Sequence, residues 1–248
     1  MSDIYVISTG RNASNFIINC IESVKSQTMV PKSHIVIDDI SDDDTQEHLN
    51  KYIEHEGIEV KINEERKYRL KNLYDSIIDK DPEDIICIVD SDDWLTKNNV
   101  IEKVYKIYQQ DEKLEYVYSN YMLTTGEFGC SRQIPNDSWD PYKNVWITSH
   151  MSTFKVKALK GIPINNFLDW NEEWFKIATD HALTLPILYR LWNRDGDYRS
   201  VKFIDEPLYT HLFYGNPSKP RTGTAEAEQR SLLAVKCSNF IKQRGYIE

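Results

Sequence analysis

Through the first half of the chain, short apolar runs rich in β-branched residues alternate with stretches whose apolar residues recur every three or four positions. IYVIST (4–9) reads as a strand, and Ile17, Cys20, Ile21 and Val24 then fall on one face of a helix. HIVIDD (34–39) predicts a second strand, followed by a helix opened by SDDDT, whose acids suit a helix N-terminus. IEVKI (58–62) is a weaker strand, and Leu70, Leu73, Tyr74 and Ile77 make the next helical stripe. DIICIV (84–89) reads as a central strand, with Val100, Val104 and Ile107 on one face of the helix after it. LEYVYSNYML (114–123) predicts a fifth strand. Such alternation implies right-handed crossovers and an α/β fold with a doubly wound, mostly parallel sheet.

Past residue 124 the pattern breaks up. The stretch 124–148 carries Gly, Pro and Asn among aromatics, which predicts a hairpin and loop lying over the sheet. Helical spacing returns at 151–159 and at 180–192, and strands are expected at 200–204 and 207–213. A segment rich in Gly, Pro and Ser (215–223) separates these from a last helix bearing Leu233, Cys237, Phe240 and Ile241.

Composition narrows the class. A chain of 248 residues, 40% hydrophobic and 28% charged, fits one soluble domain with its own core. A net charge of −9 argues against a general grip on nucleic acid. No apolar run is long enough to span a membrane, and MSDIYVISTG enters a strand with no signal-peptide pattern, so a cytoplasmic location is expected. Cys20, Cys87, Cys130 and Cys237 are scattered, three of them in apolar segments, and read as reduced, mostly buried thiols.

Ligands of open α/β sheets bind at the carboxyl ends of the strands, where the polar residues of this chain gather. The first strand ends in Ser8-Thr9-Gly10-Arg11-Asn12, the second in Asp38-Asp39, and the fourth in Asp90-Ser91-Asp92-Asp93. Close carboxylates repel one another unless something positive is bound, and Mg²⁺ or Mn²⁺ take such oxygens readily. Asp93 has a second reading, as the cap of a helix starting near Thr96. Asp42, Asp43 and Asp44 read as a solvent-facing cap and dipole partner. Arg66, Lys67, Arg69 and Lys71 read mostly as a solvated face, one of them within reach of a diphosphate.

Taken in order, IYVISTGRNASNFIINCIESVKSQT, HIVIDDISDDDT and IICIVDSDDW resemble the opening strand and helix, the Asp-Asp strand and the DxD strand of the family 2 glycosyltransferases. Ile40-Ser41 stands where that family usually has Gly-Ser or Asn-Ser. The resemblance spans roughly residues 3–215 and implies a GT-A fold, with a nucleotide-binding half (1–123), an irregular acceptor-binding half (124–215) and a C-terminal loop and helix (216–248). It implies a metal-dependent enzyme that inverts the sugar as it moves it from a nucleotide-sugar, expected to be a UDP-sugar, to a hydroxyl of a glycan or other acceptor.

Residue by residue, the resemblance implies that Thr9 and Asp39 hold the nucleobase, with Asn12 and Asp38 beside it; Asp38 either helps or shapes the turn. Asp90 and Asp92 lie toward the ribose, sugar and metal, and Asp92 or Asp93 ligates Mn²⁺ or Mg²⁺. His150 contacts donor or acceptor, or makes a structural hydrogen bond, and His211 falls where GT-A enzymes often place a further metal ligand. The family's catalytic base is matched by Asp180, with Thr179 in place of the usual Glu. Asp180 as a plain N-cap is the other reading, and Asp169, Glu172 and Glu173 are competitors for the base. One or two of Trp139, Trp146, Trp170 and Trp174 are expected to touch an acceptor, and Arg221, between Gly215 and Gly223, to close over phosphate. Two other classes compete: a sugar-binding relative without activity, and a phosphatase of the haloacid dehalogenase type, whose DxD normally lies on the first strand.

Overall fold

The computed structural model describes residues 2–213 and 225–248, so Gly215, Arg221 and Gly223 lie outside the described residues. Along the chain run β1 (Ile4–Gly10), α1 (Ile17–Lys25), β2 (Ser33–Asp38), α2 (Thr45–Asn50), β3 (Ile58–Ile62), α3 (Tyr68–Ile77), β4 (Ile85–Ile88), β5 (Trp94–Leu95) and α4 (Val100–Gln110). The second half holds β6 (Tyr116–Leu123), β7 (Ser152–Lys155), α5 (Val156–Leu159), α6 (Thr179–Asp195), β8 (Val201–His211) and α7 (Ala225–Arg244). Among the described residues these strands form one sheet in the order β3-β2-β1-β4-β7-β6-β8-β5. The first four pair in parallel and β6 pairs in parallel with β8, while β7 runs antiparallel to both β4 and β6, and β5 to β8. The fold is α/β, with a mixed, largely parallel sheet flanked by helices.

The unbroken apolar run of β4 follows from its central position, because it serves two cores at once. Ile86 and Ile88 face the core shared with α3 and α6, whereas Ile85 and Cys87 face the one shared with α1 and α4. Alternation along a strand sends each set to its own side of the sheet. Where β1 ends, Gly10 packs against the turn after β4 so closely that a Cβ there would lie 1.7 Å from the Ser91 hydroxyl. Only glycine lets these two strand ends meet.

Three sequence expectations need correction. The segment 151–159 is not one helix: β7 fills the gap between β4 and β6, and only Val156–Leu159 turns helical. Short apolar runs fit either period, and the open edge of β4 decides the matter. The separate strands expected at 200–204 and 207–213 are one strand, β8, whose register against β6 shifts around Asn120 and takes up Pro207. In α7, Cys237 and Ile241 are buried, but Leu233 is exposed together with Leu232 and Val235.

Between β6 and β7 the chain makes a tight turn bridged by Met122 and Phe128, then runs without regular structure. Ile134, Trp139, Tyr142 and Ile147 nevertheless pack into the main core over the sheet. The C-terminal helix closes the same core, and Ile247 exchanges hydrogen bonds with the buried Asn166. Cys20, Cys87 and Cys237 are buried free thiols, and Cys130 is exposed. No helix among the described residues is long and apolar enough to cross a membrane.

Candidate active site

At the end of β2, Asp39 is buried and already engaged. One oxygen accepts from the Asn63 amide (2.8 Å) and the Lys67 N–H (2.8 Å), the other from the Tyr68 N–H (2.9 Å). Asn63 also donates to Asn72 (2.8 Å), which donates to the Thr9 hydroxyl (3.2 Å), so Thr9 and Asp39 belong to one network. Burial pushes the Asp39 carboxyl up, but the bonds from Lys67, Asn63, Asn72 and Tyr68 outweigh it and hold the group below its usual range.

The neighbouring residues are taken up by the loops themselves. Asp38 accepts from the Ser41 hydroxyl, the Ser41 N–H (3.1 Å) and the Gln46 amide (2.8 Å), which shapes the turn. Ile40 sits at φ 60°, a costly conformation for a β-branched residue and the reason Gly or Asn suits that position. Asn12, at φ 58°, locks onto Asp42 by donating from its amide (2.5 Å) and accepting the Asp42 N–H (3.0 Å). The acidic run is therefore more than a cap: Asp42 also pairs with Arg11 (2.6 Å), and Asp43 accepts the Ser14 N–H (3.1 Å). Asp44, the residue at the N-cap of α2, makes no side-chain cap bond.

Asp93 is wholly buried and caps no helix, since α4 starts behind Asn99. The end of strand β8 and the residue after it hold it instead. Tyr209 donates its hydroxyl (2.6 Å) and His211 its Nδ1–H (3.0 Å) to Oδ2, and the Leu212 N–H donates to Oδ1 (2.7 Å). The Tyr209 oxygen also accepts the Asp90 N–H (3.1 Å), so one phenol ties both ends of the Asp90–Asp93 turn. His150 stacks between Tyr209 (4.8 Å between ring centroids) and His211 (4.9 Å). Burial keeps His150 neutral, whereas for His211 the Asp93 carboxylate overcomes burial and raises the pKa. Burial and the charges of Asp93 and Asp90 push Asp92 up to about 6.

Asp93, His150 and His211 offer ligand atoms that all lie within 4.8 Å of one another. One buried carboxylate and two imidazoles form a donor set that fits a divalent cation. The set includes His150, and it leaves out Asp92.

Across from this cluster, Asp180 stands in the first turn of α6 and is not its cap; Ala178, at φ 57°, occupies that position. Of the basic residues expected mostly on a solvated face, Arg69 on α3 is the one that turns into the site. Its Nε donates to Asp90 (2.6 Å), and its Nη1 donates to Thr179 (3.2 Å) and pairs with Asp180 Oδ1 (2.8 Å). The protein packed around Asp180 raises its pKa even though 46% of the side chain is open, but the charge of the Arg69 guanidinium outweighs that and holds the carboxyl below its usual value. The competitors fall elsewhere: Asp169 accepts the N–H groups of Asn171 and Glu173, and Glu172 and Glu173 are exposed. Of the tryptophans, Trp139 is core, Trp174 packs on Tyr74 and Phe167, and Trp170 meets Phe240. Trp146 lies against His181, next to Asp180 (4.5 Å between centroids).

Sequence reasoning passed over Tyr209, Asn63 and Asn72. Alternation in EPLYTHLFY places Tyr209 on the face of His211, a signal that was available. The bonds of the two asparagines carried no such signal.

Residues 5–164, more than half of the chain, match the family model described as glycosyl transferase family 2. No curated protein matches the chain. Among solved structures it is similar to S. aureus TarS, at 17% identity and a TM-score of 0.60 over 86% of this chain and 37% of that one. TarS 1–349 in complex with UDP gives 18% and 0.59 over 86% and 61%. TarS 1–349 with UDP-GlcNAc gives 16% and 0.59 over 95% and 66%. The chain thus spans from about a third to about two thirds of the TarS chains it matches, and at these identities the likeness is one of fold.

Proposed function

Because the chain belongs to glycosyl transferase family 2, we propose that it is an inverting transferase that moves a sugar from a UDP-sugar to a hydroxyl of a glycan or similar acceptor. The observation that carries this reading is the bridge made by Arg69, which joins the Asp90–Asp93 turn on one side to Asp180 on the other. Family membership removes the support for a phosphatase.

In this reading Thr9 and Asp39 read the nucleobase, and Asp39 keeps capacity for one further donor such as the uracil imide N–H. Asp38 and Asn12 fix the loops around the base, and Asp90 and Asp92 line the path of ribose and diphosphate. Asp93, His150 and His211 hold a divalent cation, with Mn²⁺ favoured over Mg²⁺ because two donors are imidazoles. Such a cation supplies Lewis-acid stabilisation of the charge growing on the departing nucleoside diphosphate. Asp180 Oδ2 accepts no hydrogen bond from any described residue and takes the proton of the attacking hydroxyl, which displaces the diphosphate from the opposite face of the sugar. Two further features support the scheme: TarS is solved with UDP and with UDP-GlcNAc, and Asp180 is nearly half exposed, within reach of a substrate.

A thermal-shift screen of nucleotide-sugars with Mn²⁺ or with EDTA tests the reading. A UDP-sugar at 100 times its dissociation constant adds about 2.7 kcal/mol of stability, and the effect shrinks in EDTA. Indifference to every nucleotide-sugar in Mn²⁺ would remove the donor site.

A further inference from the structure

The Arg69 bridge joins the two sides of the site, but the reaction scheme gives the guanidinium itself no part in the transfer. Arg69 is the second residue of α3, and its predecessor Tyr68 sits at φ 63° with its N–H on Asp39. The backbone of α3 therefore starts from the carboxylate assigned to the nucleobase. One residue later the guanidinium spans the site, with Nε on Asp90 and Nη1 on both Thr179 and Asp180. The start of α6 needs such an anchor, because Ala178 is in a left-handed conformation and no side chain caps the helix. Arg69 takes one oxygen of Asp180 and leaves the other open, which fixes both the rotamer of the carboxylate and the direction of its remaining lone pairs.

Resting on the reading of Asp180 as the base, we infer that Arg69 is a positioning residue, which aims Asp180 Oδ2 at the acceptor hydroxyl and ties that aim to the donor side through Asp90 and the start of α3. A single ammonium cannot make the same fork, so lysine is no substitute. The arrangement also makes the acceptor side depend on the donor side, since the residue that orients the base is itself held by the turn that carries the DxD residues.

A double-mutant cycle tests this, with kcat read at saturating donor and acceptor so that changes in affinity do not enter. Arg69→Gln lowers kcat by about 10- to 100-fold in the wild-type background and by less than about 3-fold in Asp180→Asn, because an amide that cannot act as a base gains nothing from being aimed. Arg69→Lys, run through the same cycle, gives the same non-additivity and guards against poor folding of the glutamine variant, with UDP binding as the check on folding. If the losses multiply in full, Arg69 acts on structure or on Asp90 alone and the inference is overturned. If Asp180→Asn by itself turns over at the wild-type rate, the base assignment has failed, and the inference falls with it for that separate reason.

Discussion

His150 lies flat against Tyr209, with 4° between the ring planes and 4.8 Å between their centroids. The phenol of Tyr209 reaches past that stack to Asp93, so one side chain sets both a buried carboxylate and an imidazole whose pKa burial lowers.

Tyr209→Phe separates these two duties. The ring and its stack on His150 survive, but Asp93 loses a buried donor and the Asp90 N–H its acceptor. Urea denaturation is expected to show a loss of about 1–3 kcal/mol. Mn²⁺ affinity in calorimetry falls by about 10- to 100-fold, as for other residues that orient ligands.

Asp39→Ala weakens UDP binding by about 1–3 kcal/mol, the loss expected for one charged hydrogen bond. Unlike a residue that only touches ligand, it also lowers stability, since the N–H groups of Lys67 and Tyr68 and the amide of Asn63 lose their acceptor. Calorimetry with UDP and a urea titration read the two effects separately; unchanged UDP affinity removes Asp39 from the nucleotide site.

Asp180→Asn preserves shape and the contact with Arg69 but cannot accept a proton. Transfer is expected to fall by about 10²–10⁴-fold while UDP and Mn²⁺ affinities persist. Rapid transfer by this variant would move the search for a base to Glu172, Glu173 and Asp169. Equal loss of donor binding and turnover would instead place Asp180 in the donor site.

His34 predicts an acid-sensitive fold. It is buried with Nε2 on the Ser8 hydroxyl (2.8 Å) and Nδ1 unpartnered, and burial pushes its pKa down to about 3. The unfolded chain, with a histidine pKa near 6.5, takes up a proton that the native state refuses. Stability from this group is therefore intact above about pH 6.5, falls as the pH drops, and levels off below about 3. Urea midpoints at pH 7 and 5 are expected to differ by on the order of 2 kcal/mol more in the wild type than in His34→Asn. Equal pH dependence in the two proteins would refute the assignment.

The strands that deliver Thr9, Asp39 and the Asp90–Asp93 turn were legible because a parallel sheet buried on both faces writes itself as apolar runs ending in polar residues. The second half was harder to read for a physical reason. β7 gains its identity from two neighbours far off in sequence, and Pro207 in the bulge of β8 imitates a strand break. Which of Arg66, Lys67, Arg69 and Lys71 turns inward had no local signal, because the carboxylates that draw Arg69 into the site, Asp90 and Asp180, lie 21 and 111 positions later. Side-chain networks of that reach leave no local period to detect.

The bond between His211 and Asp93 spans 118 positions, and that separation gives the protein an order of assembly. A chain emerging from synthesis carries Asp93 long before the strand that satisfies it exists. Until β8 threads between β6 and β5, the acid has neither phenol nor imidazole, and the cluster of Asp93, His150 and His211 lacks a member. Contacts of such long range are slow to form and come late. The site is thus a certificate of completed folding: any chain that brings Asp93, His150 and His211 together has already closed its sheet.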